Sequence, residues 1–195
     1  PYTTLFRSRY YDSLNSLLKG NSPEEEAQKI ELLMNQANVT IEDRHVVAAA
    51  LKRAEETHTP AAALELDDGR IITGKTTNLL GASAALLLNV IKELAGLKHE
   101  LHIISPESIE PIQKLKVDYL KSKNPRLHTD EVLIALSASA ATNPDARLAL
   151  QQLSKLNGCQ AHTSVMLSDV DIRTFKRLGV QLTCEAVYET GYNYH

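Results

Sequence analysis

The segment Ser137 to Asn143, with the sequence SASAATN, carries side chains suited to holding an anion. Ser137, Ser139 and Thr142 supply hydroxyls, and Asn143 before a proline predicts a helix start whose free amides attract anions. The preceding apolar run predicts a buried strand, and ligands of open α/β sheets bind at the carboxyl ends of strands. We therefore predict that these four side chains bind a phosphate or carboxylate. The alternative is that Asn143 only caps its helix while the serines bond buried backbone.

A second polar segment lies just upstream, where His128, Thr129, Asp130 and Glu131 follow one another. A histidine beside carboxylates has its pKa raised and is suited to general acid-base work. His128 and Asp130 are therefore the candidate catalytic pair. These residues precede the predicted strand and are placed at the end opposite Ser137, so a polar loop with local hydrogen bonds is the alternative.

Lys75 is a further candidate for binding an anion. It stands in Gly74-Lys75-Thr76-Thr77, which leads into a predicted helix and is similar to the end of a phosphate-binding loop. The upstream glycine of that loop is missing at the required spacing. We predict only that Lys75 faces a pocket near the helix start.

The remaining reactive residues do not predict a centre of their own. Cys159 and His162 fall on opposite faces of one predicted strand, which argues against a nucleophile-base pair. His99 and His102 are likewise placed on opposite faces, so no metal site is expected there. We predict no cofactor.

Composition narrows the class of protein. Hydrophobic residues make up 43% and charged residues 23% of the 195, as in folded soluble proteins. The net charge of -3, with scattered basic residues, disfavours nucleic-acid binding. The longest apolar stretch is far shorter than the ~20 residues that cross a bilayer. We expect neither a nucleic-acid nor a membrane partner.

The order of elements predicts how these side chains are positioned. Residues 9–58 are predicted to be a small helical subdomain with helices at 9–19, 23–37 and 41–57, the last capped by Thr40. Residues 60–195 are predicted to be an α/β domain that opens with a hairpin of strands 61–66 and 70–74. Alternating helices and strands follow, with helices at 77–94, 106–122, 144–156 and 168–178 and strands at 99–104, 132–136, 160–167 and 181–186. Such alternation predicts a three-layer α-β-α sandwich around a mixed, largely parallel sheet.

This order of hairpin, helix, strand, helix and strand resembles the cytidine-deaminase topology. Zinc deaminases require a His or Cys ligand, a glutamate and a Pro-Cys-x-x-Cys pair. None of these is present where the topology requires them, so a zinc site of that type is excluded. Ser83 is predicted to line the position that a zinc ligand occupies in deaminases.

The beginning of the chain differs in character from the rest. Residues 1–8, PYTTLFRS, match the translation of a common sequencing-adapter oligonucleotide, and the chain opens without Met. We predict that residues 1–8 are an artefact and that the gene continues upstream.

From Arg9 onward, several phrases carry a family resemblance: 29–34 (KIELLM), 110–119 (EPIQKLKVDY), 124–143 (NPRLHTDEVLIALSASAATN) and 180–185 (VQLTCE). The chain resembles the C-terminal part of the uncharacterised bacterial family called domain of unknown function 1846. The resemblance implies a cytoplasmic protein with a further, N-terminal α/β half that carries a glycine-rich, lysine-terminated loop. It implies no reaction and no catalytic residues.

The sequence therefore does not establish whether the protein is an enzyme. Our leading hypothesis is that this domain forms one wall of a binding site for a small molecule that bears a phosphate or carboxylate. The N-terminal half of the protein would complete the site. The bound ligand would contact Ser137, Ser139, Thr142, Asn143, Lys75 and Ser83. The rival hypothesis is a structural or oligomerisation module without catalysis, through which the chain forms a homo-oligomer.

Overall fold

The structure is a computed structural model that describes residues 2–40 and 44–189. Within these residues the fold is mixed α/β, with eight α-helices and four strands. The helices are α1 (Tyr2–Leu18), α2 (Glu24–Gln36), α3 (His45–Thr57), α4 (Ala82–Leu94), α5 (Pro106–Lys114), α6 (Thr129–Ser139), α7 (Pro144–Leu150) and α8 (Asp169–Arg177). The strands are β1 (Ala61–Glu65), β2 (Ile71–Lys75), β3 (Gln160–Thr163) and β4 (Gln181–Cys184). A π-helical segment, Leu115–Tyr119, extends α5, and a 3₁₀ segment, Gln151–Leu156, extends α7.

The four strands form one mixed sheet in the order β2-β1-β3-β4. The predicted hairpin is confirmed, because β1 pairs antiparallel with β2 from Ala61 opposite Lys75 to Glu65 opposite Ile71. Gly69 in its turn has a φ of 81°, a value that glycine adopts without strain. β1 also runs antiparallel to β3, and only β3 and β4 are parallel within the described residues. The expectation of a largely parallel sheet is therefore wrong.

Alternate residues of β1 belong to two different apolar clusters. Ala62 and Leu64 pack in the main core together with Leu86 of α4, whereas Ala63 packs with Val46 and Ala50 of α3. Successive side chains of a strand point to opposite faces, so α4 and α3 cover opposite sides of β1. β2 approaches the backbone of α4 closely at Gly74.

Two predicted strands are absent, and this changes the setting of the first candidate site. Residues 132–136 lie within helix α6, and residues 99–104 form an irregular connection. The run Val-Leu-Ile-Ala-Leu is apolar enough for a buried strand, but its buried members Val132, Ala135 and Leu136 recur at helical spacing. Asp130 and Glu131 occupy the first turn of α6, where carboxylates are favourable. The residues that favour a helix start at 129–131 therefore decide the structure here, and the apolar run 132–136 is helical.

The N-terminal helices differ from prediction mainly at their ends. α1 runs from Tyr2, so residues 2–8 continue the helix predicted from Arg9. α3 begins at His45, and the predicted start at Ile41 after the Thr40 cap falls on residues 41–43, which lie outside the described residues. α4 begins at Ala82 rather than Thr77. In the described part of the chain, no helix has the length and apolar character needed to cross a membrane.

Candidate functional site

His128 and Asp171 form a hydrogen-bonded pair between two helix starts. His128 is the residue before α6, and its Nδ1 lies 3.0 Å from Oδ2 of Asp171 in the first turn of α8. The carboxyl of Asp171 is buried, with its side chain 6% exposed, while the imidazole is 22% exposed. The partner of His128 is therefore Asp171, which is 43 residues away in sequence, and not Asp130. Asp130 is exposed, and its Oδ1 accepts from the amide of Glu131.

Asp171 is held in place by several donors. Its Oδ1 accepts from the amide and the hydroxyl of Thr129, each at 2.9 Å, and its Oδ2 accepts from the Ser168 hydroxyl at 2.7 Å. Ser168 Oγ also lies 3.3 Å from His128 Nδ1. Because every one of these partners can donate a proton, the arrangement favours ionised Asp171 and a proton on Nδ1 of His128.

His128 borders two cavities. The first, which we call the polar chamber, has a volume of about 30 Å³ and is lined by the start of α4 at Gly81, Ala82 and Ser83, by Thr76, and by Ser168. The second, the His128 cavity, has a volume of about 560 Å³ and is lined by Leu18, Lys19, Met166, Leu167, Ser168, Asp169 and Tyr188. The chamber holds the predicted residue Ser83, which is 2% exposed. Ser83 and His128 thus border the same chamber.

Lys75 lines a different cavity. This basic cavity has a volume of about 620 Å³. Its cationic or titratable residues are Arg53, Lys75, Lys92, His99 and His102, and no Asp or Glu lines it among the described residues. The other lining residues are the polar Thr73, Thr77, Asn78 and Asn89 and mainly apolar residues, including Leu79, Leu80, Leu88, Leu101, Ile103 and Ile109.

The other predicted ligand residues lie at the junction of α6 and α7. Ser137 is exposed, and the hydroxyl of Ser139 donates to the carbonyl of Ala135 one helical turn earlier. Thr142 is exposed, and Asn143 Oδ1 accepts from the amides of Asp145 and Ala146. Asn143 therefore caps α7, which is the alternative that the sequence left open. These four residues line neither the basic cavity nor the two cavities beside His128.

A second buried network crosses the sheet at His162. Arg44 donates to the Thr183 hydroxyl at 2.6 Å, which lies 2.8 Å from Nδ1 of His162, and Nε2 of His162 lies 3.0 Å from Oε1 of Glu185. Burial lowers the pKa of His162, although Glu185 partly opposes this. His162 is fully buried with both ring nitrogens occupied, so it is a structural residue. Sequence reasoning overlooked this network.

Metal coordination and thiol chemistry find little support in the described residues. They contain no group of three His, Cys, Asp or Glu side chains arranged to hold a metal ion. Cys159 and Cys184 are both buried, and burial raises the pKa of each thiol, which disfavours the reactive thiolate.

Sequence reasoning also missed Asp171, Ser168 and Arg53. A local signal existed for the first two, since Ser168 precedes α8 and its hydroxyl accepts from the amide of Asp171, in the manner of a helix cap. No comparable signal marks Arg53, because its contribution depends on α3 lying beside β2.

The His128–Asp171 pair predicts a pH-dependent contribution to stability. The hydrogen bond to Asp171 raises the pKa of His128 against an opposing effect of burial. Burial raises the pKa of Asp171, but the bonds and charge of His128 and the bonds from Thr129 and Ser168 outweigh it, so the net pKa is lowered.

A raised histidine pKa stabilises the fold below the ordinary value of 6.5 and loses that effect as pH rises through the raised pKa. A lowered aspartate pKa stabilises above the ordinary value of 3.8 and loses the effect as pH falls. We expect the difference in unfolding free energy between wild type and His128→Gln to be largest between these two values. Urea unfolding from pH 3 to pH 9 measures it, with exposed His99→Gln as the control. A difference that does not vary with pH would contradict the ion pair.

Comparison with known proteins gives a family but no activity. The model of the family described as domain of unknown function DUF1846, C-terminal, matches residues 42–194. UPF0371 protein cu0538 of Corynebacterium urealyticum is 53% identical over 180 residues, covering 92% of this chain and 36% of that protein. UPF0371 protein str1377 of Streptococcus thermophilus is 46% identical over 181 residues, covering 93% of this chain and 37% of that protein. The chain spans little more than a third of the length of these relatives. It belongs to the family of the DUF1846 C-terminal domain.

Proposed function

We propose that this domain binds a small molecule bearing a phosphate or carboxylate, and that the ligand occupies the basic cavity. The observation that carries the proposal is the lining of this cavity by Arg53, Lys75 and Lys92 without a facing carboxylate in the described part of the chain. A cavity lined by both cations and apolar side chains is suited to a ligand that has an anionic group and an apolar or planar body.

The individual cations support an anion at the Lys75 side. Lys75 is exposed at the end of β2, and no described residue forms a hydrogen bond or ion pair with its ammonium group. Nε of Arg53 is buried without a hydrogen-bond partner among the described residues, and its Nη1 lies 3.8 Å from Oε2 of Glu56. Lys92 instead donates to the carbonyl of His99 at 2.6 Å, so its ammonium group already has a partner. We infer that Lys75 and Arg53 contact the anion.

The volume supports a metabolite-sized ligand. About 620 Å³ falls within the range of ~300–1,000 Å³ typical of small-molecule sites. We further propose that, in the longer relatives, the remaining two thirds of the protein completes the site in the bacterial cytoplasm. The architecture that we propose for the domain is a three-layer sandwich of deaminase-like topology, supported by the strand order and by helices on both sides of β1.

The test is a thermal-shift screen of the 195-residue chain against nucleotides, sugar phosphates and small carboxylates. A ligand that binds the native state raises the melting temperature by mass action. For any ligand found, Lys75→Ala is expected to weaken binding about tenfold to a hundredfold, the equivalent of one charge-assisted hydrogen bond of ~1.5–3 kcal/mol. Titration calorimetry measures the change.

Two further variants locate the site. Lys155→Ala, an exposed lysine that lines none of these cavities, is the matched control and should bind as the wild type does. Asn143→Ala tests the Ser137–Asn143 segment, where the site residues remain a prediction. Binding lost in Asn143→Ala but kept in Lys75→Ala would move the site to that segment. Absence of any stabilising ligand would favour the structural or oligomerisation module.

A further inference from the structure

We propose that His128 is the base of a second, separate site, where its Nε2 removes a proton from a hydroxyl group of a small molecule bound in the His128 cavity. Asp171 acts as the positioning residue. This site is independent of the basic cavity, and its proposal does not depend on the function proposed above.

The first support is the orientation of the imidazole. Nδ1 lies 3.0 Å from Asp171 and 3.3 Å from the Ser168 hydroxyl, and the three donors from Thr129 and Ser168 keep the carboxylate fixed. A proton on Nδ1 leaves the lone pair on Nε2, the nitrogen that a general base needs. In the described part of the chain, both side-chain hydrogen bonds of the imidazole involve Nδ1, and none involves Nε2.

The second support is the pair of hydroxyls in the polar chamber beside the imidazole. Ser83 is 2% exposed and Thr76 is 6% exposed, and both line the chamber that His128 lines. Neither hydroxyl forms a hydrogen bond with another described residue, and neither oxygen is fully enclosed, so both remain accessible to a bound polar group. The hydroxyls of Thr76, just after β2, and of Ser83, in the first turn of α4, are therefore available to polar atoms of a ligand.

The third support is the position in the fold. Val165, Met166 and Ser168 follow the carboxyl end of β3, which is parallel to β4, and they line the chamber together with the starts of α4 and α6. Ligands of parallel strand pairs bind at this end. The His128 cavity opens beside it and combines apolar residues such as Leu18 and Met166 with polar Lys19 and Asp169. This lining suits a molecule that has both hydroxyl and apolar groups.

Three pairs of opposite charges lie around His128. Lys116 pairs with Glu131 at 2.7 Å, Lys19 with Asp169 at 3.2 Å, and Arg126 with Glu189 at 2.6 Å. The Asp171 carboxylate is therefore the charge that stabilises a protonated imidazole. In the step itself, the O–H bond of the ligand breaks, the proton and Nε2 form an N–H bond, and the electron pair stays on the ligand oxygen. The imidazolium returns the proton later in the reaction.

The test uses diethyl pyrocarbonate, which acylates the unprotonated nitrogen of accessible imidazoles, on the 195-residue chain. Peptide mass spectrometry follows each histidine from pH 5 to pH 8.5. His128 is expected to react, whereas buried His162 is not. In Asp171→Asn the limiting rate of His128 acylation at high pH should fall about threefold or more, because a less basic nitrogen is less reactive. The midpoint of the pH dependence of this rate should move to lower pH.

Asp145→Asn is the matched control, because Asp145 lies in the first turn of α7 as Asp171 lies in that of α8, but lines neither cavity beside His128. It should keep the acylation rate and the midpoint of wild type. Circular dichroism verifies that each variant is folded. If Asp171→Asn does not fold, ring ¹⁵N shifts of His128 in the wild type replace it, and they should show the proton on Nδ1. The proposal is overturned if His128 is as unreactive as His162, if its midpoint is the same in Asp171→Asn, or if the proton is on Nε2.

Discussion

Gly74→Ala is expected to lower the free energy of unfolding by about 3 kcal/mol or more, which is the upper range for overpacking a core. A Cβ at this position would lie 2.5 Å from Cα of Leu86 and 2.8 Å from the carbonyl carbon of Ala85. Both are backbone atoms of α4, so no side chain can rotate away to make room. β2 and α4 would have to separate, which opens the core around Leu86.

Urea unfolding measures this effect, and Gly81→Ala is the matched control. The nearest atom to a Cβ at Gly81 is the Leu127 carbonyl oxygen at 4.0 Å, so only the preference of helix starts for glycine over alanine is lost. We expect a cost of about 1 kcal/mol or less. Because Lys75 follows Gly74 and α4 lines the basic cavity, Gly74→Ala should also lower the affinity of that cavity for any ligand that it binds. Equal stabilities of the two variants would disprove the close approach.

Thr183→Val is expected to cost about 3 kcal/mol, although valine has nearly the shape of threonine. The Thr183 hydroxyl accepts from Arg44, which is 3% exposed, and donates to Nδ1 of His162. The hydrogen bond to His162 lowers the pKa of Glu185, which favours an ionised carboxylate that can only accept. Nε2 of His162 therefore carries the ring proton, and Nδ1 accepts from the Thr183 hydroxyl. Removing the hydroxyl leaves a buried guanidinium and a buried imidazole each without one partner.

Thr174→Val is the control for this substitution. The Thr174 hydroxyl donates to the carbonyl of Val170 within α8 at a half-buried position, so its loss should cost about 1 kcal/mol or less. Thr183→Ser, which keeps the hydroxyl, should recover most of the stability lost in Thr183→Val. Chemical unfolding of the three variants makes the comparison, and a cost in Thr183→Ser equal to that in Thr183→Val would assign the effect to packing instead.

The fold was predictable wherever the signal was local. The hairpin followed from Asp67-Asp68-Gly69 between two short strands, and α8 followed from Ser168 before an acidic first turn. Residues 132–136 show the limit, because a short apolar run fits a strand or a buried helix equally well. In the structure, the helix-start residues 128–131 resolve that ambiguity in favour of helix α6. The anion site predicted at Ser137–Asn143 assumed a strand before it, and a helix stands there instead.

The candidate sites were predictable only in part. Lys75 does line a cavity, and His128 does have a carboxylate partner, but the partner is Asp171 and not the neighbouring Asp130. Adjacent residues in sequence face different directions at a helix start, so proximity along the chain gave the wrong pair. Ser83 borders a chamber, yet its unpaired hydroxyl could be recognised only once its burial was known.

The sequence by itself determined the family, the hairpin, the helix starts and the absence of the deaminase zinc motif, because composition, caps and turn residues act over a few positions. The tertiary structure decided which distant residues meet: Asp171 with His128, Arg44 with Thr183, and Arg53 with Lys75 around one cavity. These contacts join positions up to 139 residues apart. They depend on how helices pack across the sheet. The burial of apolar faces determines this packing and so brings the polar groups together, which no local preference could do.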